Sequence, residues 1–166
     1  MLHYSETSFC AIYPALKEHI EAYWAEVSAL HALEGCHPDL ARYAMLEQVQ
    51  QLFCLVAWTT TQMPVGLFLA ILGTHNHLAG LRCAFGDAWY LAPAYRQGRT
   101  GLVFLQTALQ RLAAREIAHV FLTTTLVHDV DVLYRHLGFI PVERLYYADL
   151  RQMKKGRTWP LPPEPQ

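Results

Sequence analysis

Residues 95–104 read Tyr-Arg-Gln-Gly-Arg-Thr-Gly-Leu-Val-Phe. Two arginines and two glycines, with no carboxylate, stand between an apolar strand-like run at 88–94 and an apolar helix-like run at 101–113. Where a strand feeds a helix, the first amide N–H groups of the helix have no internal partners. They carry the positive end of the helix dipole and attract anions. Gly98 and Gly101 remove side chains that would block a phosphate, and Arg96 and Arg99 add charge. The stretch reads as a phosphate-binding turn, with an ordinary strand–helix turn carrying solvated arginines as the other reading. Gly-Lys-Ser/Thr is absent, so it is no Walker loop, and G-x-G-x-x-G is absent, so it is no dinucleotide fingerprint.

The elements that must position this turn follow from composition and periodicity. At 166 residues, 53% hydrophobic and 16% charged, the chain predicts one domain with a substantial core and excludes wholesale disorder. A formal net charge of −1 offers no general attraction to nucleic acid or to an anionic membrane. No apolar run reaches the ~18–20 residues that span a bilayer. The first ten residues lack the basic-then-apolar layout of a signal peptide, which predicts a cytoplasmic protein. Cys10, Cys36, Cys54 and Cys83 form no C-x-x-C pair and read as free thiols. His31, Cys36 and His37 lie close in sequence but lack a properly spaced fourth ligand, so no metal is expected.

Residues 9–31 carry a helical apolar stripe, with Pro14 in what reads as a first turn. A loop at 34–39 follows, and Asp39 can cap a second helix running to about Gln50. Strands are expected at 51–58, 63–75 and 81–91. After the turn, a helix runs to about Arg115 with Leu102, Leu105, Leu109 and Leu112 on one face. Residues 119–125 read as a short, fully buried strand. A short helix opens near Asp129 and stops at Gly138, and 139–150 alternate as closing strands would. The organisation is a domain over 1–150 and a Pro-rich tail at 151–166. Strand–helix–strand over 81–125 predicts a right-handed parallel crossover within a mostly antiparallel sheet, helices on both faces: a mixed α/β domain.

The run Tyr-Leu-Ala-Pro-Ala-Tyr-Arg-Gln-Gly-Arg-Thr-Gly-Leu-Val-Phe-Leu-Gln resembles the cofactor loop of the GNAT N-acetyltransferase superfamily, whose pattern is Q/R-x-x-G-x-G/A. Arg96 fills the first position and Gly101 the last, while Arg99 replaces the middle glycine. Further on, Tyr134-Arg-His-Leu-Gly138-Phe139 is similar to that superfamily's second signature, Tyr-x-x-x-Gly-Phe. Over about residues 8–150, including 22–27, 37–47 and 65–91, the chain resembles a subgroup of tailed phages and bacteria.

The resemblance implies a GNAT-like fold with a parallel strand pair at an acyl-CoA site. It implies acetyl transfer from acetyl-CoA to a primary amine by direct attack, through a tetrahedral intermediate. Amides of Gln97, Gly98, Arg99, Thr100 and Gly101, beside Arg96, would take the pyrophosphate, and backbone at Tyr90, Leu91 and Ala92 would pair with the pantetheine arm. Tyr134 would protonate the departing thiolate, or would be a core tyrosine. An alkylamine with pKa near ~10 must lose a proton before attack. The family's carboxylate position matches Phe85, which cannot act. Asp87, two residues on and on the same face by period-two alternation, is the candidate base. Asp87 as a cap, or water chains through His75 or His77, are the alternatives.

Trp24, Glu26, Tyr43 and His77 are candidates for the acceptor mouth, although Trp24 also suits a core. The acceptor, a small-molecule or peptide amine, is open among antibiotic, polyamine, metabolite, peptide N-terminus, lysine and modified nucleobase. A second copy of the chain is a candidate partner. A non-catalytic acyl-CoA-binding or interaction module is the competing reading, favoured by Arg99 and by Phe85.

Overall fold

The computed structural model describes residues 2–28, 35–77, 79–148 and 150. The expected helix end at 31, His31 and the tail at 151–166 lie outside these residues.

Two long strands form the centre of the sheet, and their sequences show why. In β2 (Leu52–Trp58), Leu52, Cys54 and Val56 pack to one side, while Phe53, Leu55 and Ala57 pack to the other. Burial on both faces is what an unbroken apolar run encodes. β3 (Pro64–Thr74) pairs with it antiparallel, and β4 (Arg82–Leu91) pairs antiparallel with β3. β5 (His119–Phe121) lies parallel to β4, as the crossover predicted. A short strand that the sequence did not suggest, β1 (His3–Glu6), pairs antiparallel with β2, giving the order β1-β2-β3-β4-β5.

One face is covered by α1 (Phe9–Val27) and α2 (Leu40–Gln48). The Ser8 hydroxyl accepts the Ala11 amide at 3.1 Å, capping α1. The Glu47 carboxylate of α2 accepts the Phe9 amide and, at 2.9 Å, the Ser8 hydroxyl, which pins the two helices together. Asp39 accepts the Arg42 amide at 3.0 Å and caps α2 as expected. Pro14 falls in the second turn of α1, not the first, and the helix continues through it. The other face is covered by α3 (Thr100–Ala114), which buries Phe104, Leu105, Ala108 and Leu112. The stripe is therefore turned slightly from the leucine face that periodicity indicated, because Phe104 stacks on Tyr4 of β1 at 5.1 Å. α4 (Asp131–His136) follows β5, with Gly138 at φ +85° ending it.

Two expectations are corrected. β5 is only three residues long and half-exposed, not a buried strand reaching 125. Residues 139–148 form no strand: Ile140, Val142, Leu145, Tyr146 and Tyr147 are exposed. Alternation alone does not make a strand. It needs an edge to pair with, and a three-residue β5 supplies little, while Pro141 removes a donor. Among the described residues no helix is long and apolar enough to cross a membrane.

Gly66 keeps β3 tight against the end of β4. A Cβ there would lie 2.8 Å from the Tyr90 carbonyl oxygen and 2.9 Å from Leu91 Cδ1. Gly66→Ala is expected to destabilise the fold by ~1–3 kcal/mol, read as a lower urea midpoint at unchanged m-value.

Candidate active site

β4 and β5 pair over only three positions, Cys83–Phe85 against His119–Phe121. Beyond them the strands part. The β3–β4 register shifts there as well: Ala70 faces Gly86 and Leu69 faces Ala88, so Asp87 is the extra residue of a β-bulge. Despite the bulge, Asp87 stays on the α1–α2 side of the sheet, the side of Phe85 and its partner Ile71. Asp87 turns toward α2, where its Oδ2 accepts the Tyr43 hydroxyl at 2.6 Å.

A cavity of about 330 Å³ fills the gap between the parted strands, bounded by the start of α3. Tyr90, Leu91, Arg96, Gly98, Gly101 and Tyr134 line it. In the loop, Gly98 has φ +59°, the left-handed region that favours glycine. Arg99 has φ −100° and ψ 11°, a conformation open to any side chain, so arginine fits where the motif has glycine. Among the described residues, the amides of Gly98, Arg99, Gly101 and Leu102 have no acceptor. A Cβ on Gly101 would meet only Trp89, at 3.8 Å. Packing within the chain does not require glycine there, so the open approach to these amides is left for something else. The Trp89 indole N–H, buried in the same wall, also has no partner among the described residues.

Other sequence candidates are committed elsewhere. Arg96 forms a two-pronged ion pair with Glu26 at 2.5 and 2.6 Å, donates to the Leu91 carbonyl at 2.6 Å and lies over the Tyr90 ring. Both arginines are exposed, and Arg99 is the one with no ion pair among the described residues. The Ala92 amide bonds to Val65 in the sheet, and its carbonyl accepts the Tyr95 amide, so neither is open to a pantetheine arm. The Gln97 carbonyl accepts the Thr100 amide and hydroxyl. Glu26 lines the strand-gap cavity, not the second one, and also faces His128 Nδ1 at 3.3 Å. His77 lines neither cavity and stands beside His75, which stacks on Phe121. The His31, Cys36 and His37 group lies partly outside the described residues.

A second cavity, of about 370 Å³, opens between the sheet and α1–α2. Trp24, Tyr43 and Asp87 line it, with Phe9, Leu67 and Leu69 among its walls. Tyr23 lines both cavities and donates to the Asp87 carbonyl at 3.5 Å. Burial, with Asp87 nearby, pushes its phenol up to about 12. Tyr134 donates to the Thr123 carbonyl at 3.1 Å, and burial, with Tyr23 adding, pushes it up to about 12 as well. Burial and the Asp87 hydrogen bond push Tyr43 higher still. These hydroxyls stay protonated across the neutral range and can donate, not abstract. Tyr23 was missed from sequence because it falls in the apolar stripe of α1, where an aromatic reads as core.

No family model matches the chain, and no curated protein matches it in sequence. Solved structures do match in three dimensions. A predicted acetyltransferase from Clostridium acetobutylicum, solved with acetyl-CoA, is 15% identical and superposes with a TM-score of 0.67, covering 92% of this chain and 98% of its own. An aminoglycoside acetyltransferase from an uncultured soil metagenomic sample, in complex with sisomicin, is 14% identical with a TM-score of 0.66 over 89% of this chain and 95% of its own. A transcriptional regulator from Bacillus halodurans is 16% identical with a TM-score of 0.71 over 90% of this chain and 99% of its own. At these identities the likeness is one of fold, and the fold is that of the GNAT acetyltransferases.

The Glu26 bridge has a pH signature. The Arg96 hydrogen bonds hold the Glu26 carboxyl below the usual carboxylate range, although burial opposes this. A depressed folded pKa gives stability that is present above the unfolded value of ~4.3 and is lost as pH falls through the folded one. Melting curves of wild type and Glu26→Gln are therefore expected to differ near pH 7 and to draw together as pH falls below the unfolded value of ~4.3.

Proposed function

We propose that the chain transfers an acetyl group from acetyl-CoA to a primary amine by direct attack. The observation that carries this reading is Tyr23 as a wall shared by two cavities, one lined also by Tyr134 and unspent helix-start amides, the other by Asp87. The diphosphate of CoA suits the amides of Gly98, Arg99, Gly101 and Leu102, with Arg99 adding charge. The edge of β4 from Gly86 to Tyr90, which β5 leaves unpaired, suits the amide groups of the pantetheine arm. Trp89 Nε1 could be satisfied by a carbonyl at the same wall.

Acetyl-CoA supplies a thioester: the amine nitrogen bonds to its carbonyl carbon as the carbon–sulfur bond breaks. The chain's part is to move two protons. Asp87, held by the Tyr43 hydroxyl, accepts the proton that the ammonium must lose. Tyr134 gives a proton to the departing sulfur. Its raised pKa keeps the phenol protonated at neutral pH. Phe85, standing where the family carries a carboxylate, favours a second reading, in which the fold binds acyl-CoA without turnover.

Steady-state assays of CoA thiol release over an amine panel separate the two. Turnover supports the transferase, and acetyl-CoA binding without turnover supports the module. For a verified acceptor, Tyr134→Phe is expected to lower kcat on the order of 10²-fold with little change in acetyl-CoA KM. Asp87→Asn should lower kcat similarly, also with little change in acetyl-CoA KM.

A further inference from the structure

We propose that the acceptor is an arylalkyl monoamine: one primary ammonium on a short linker to a single aromatic or flat apolar group, held in the cavity between the sheet and α1–α2. This rests on the transferase reading above and names its substrate class. The floor of that cavity is rigid sheet, since Leu67 and Leu69 are each 1% exposed, and Phe9, 2% exposed, closes one side. Tyr23 and Trp24 add ring surface. At about 370 Å³ the space suits one ring system better than a chain of sugars.

Charge narrows the choice further. Asp87 is the one carboxylate among the described lining residues, and none of them is a lysine or arginine. Tyr43 occupies its Oδ2, while its Oδ1 has no partner among the described residues. The nearby Glu26 lines the other cavity and is neutralised by Arg96. One ammonium can therefore be paired here. The further cationic groups of a polyamine or an aminoglycoside would enter an apolar wall without counter-charges, which is costly. The ring faces can also hold a single ammonium as it approaches Asp87.

The test is thiol release from acetyl-CoA by the full chain with 2-phenylethylamine and tryptamine, against spermidine, an aminoglycoside and an alanine-initiated peptide. The arylalkylamines are expected to give kcat/KM at least about tenfold above the others. Trp24→Ala, which strips ring surface from the cavity, should raise the KM for 2-phenylethylamine at least about tenfold and leave that for acetyl-CoA unchanged. If Trp24→Ala fails to fold, judged by its melting curve, Ile20→Phe, which fills the same cavity, replaces it with the same expectation. Preference for spermidine, the aminoglycoside or the peptide overturns the acceptor class and leaves acetyl transfer standing. Bound acetyl-CoA with another amine of the panel turned over and no arylalkylamine turned over overturns the acceptor class alone, and bound acetyl-CoA with no amine turned over overturns the transferase reading as well. Absence of acetyl-CoA binding overturns both this assignment and the reading it rests on.

Discussion

Three residue pairs hold β4 to β5, and the end of that pairing at Phe85 leaves room for the cavity walled by Tyr134 and the start of α3. Parallel strands normally continue side by side, and closing this gap would leave no room for a ligand. At Gly86 the two chains are still close, since a Cβ there would lie 2.6 Å from Leu122 Cδ2, and the bulge at the next residue, Asp87, turns the rest of β4 out of register. Bulges bend and twist a strand locally, and here the bend leaves the β4 edge free while aiming the Asp87 carboxylate at α2. One irregularity thus makes an opening on one side of the sheet and a charged wall on the other.

The helices then complete what the strands begin. α3 brings unsatisfied amides to one end of the gap, and α4 brings Tyr134 to its side. α1 supplies Tyr23 at the junction of the cavities and Glu26 at the mouth. Glu26 bonds to Arg96 of the β4–α3 loop and faces His128 of the β5–α4 loop, so three segments meet at one carboxylate. A charge pair of this kind, a quarter to a third exposed, contributes less to stability than to fixing the loop. It also changes what the loop offers: Arg96 is a brace, and Arg99 is the cation facing out.

Much of the fold was legible because its signals are local. The doubly buried β2, the Asp39 cap, the Gly138 stop and the parallel crossover each follow from a few neighbouring residues. Gly98 was read as clearing space for a phosphate, and the structure adds a second reason for glycine, a φ of +59°. What was illegible depends on distant partners. β1 is four mostly exposed residues that become a strand only because β2 offers an edge. The Arg96–Glu26 pair spans 70 positions, and Tyr23 looks like any other member of an apolar stripe until β4 bends toward it. Residues 139–148 show the converse: a strand-like pattern with little edge to join.

The claim on which the rest depends is that the gap between β4 and β5 receives CoA. Backbone amide resonances of the isotope-labelled chain, followed as CoA is added, test it directly. The largest shifts are expected at residues 98–102 and 86–90, with saturation in the micromolar range of about −8 kcal/mol, while residues 40–48 of α2 stay nearly still. Unmoved resonances at 98–102, or shifts confined to α1 and α2, would contradict the account.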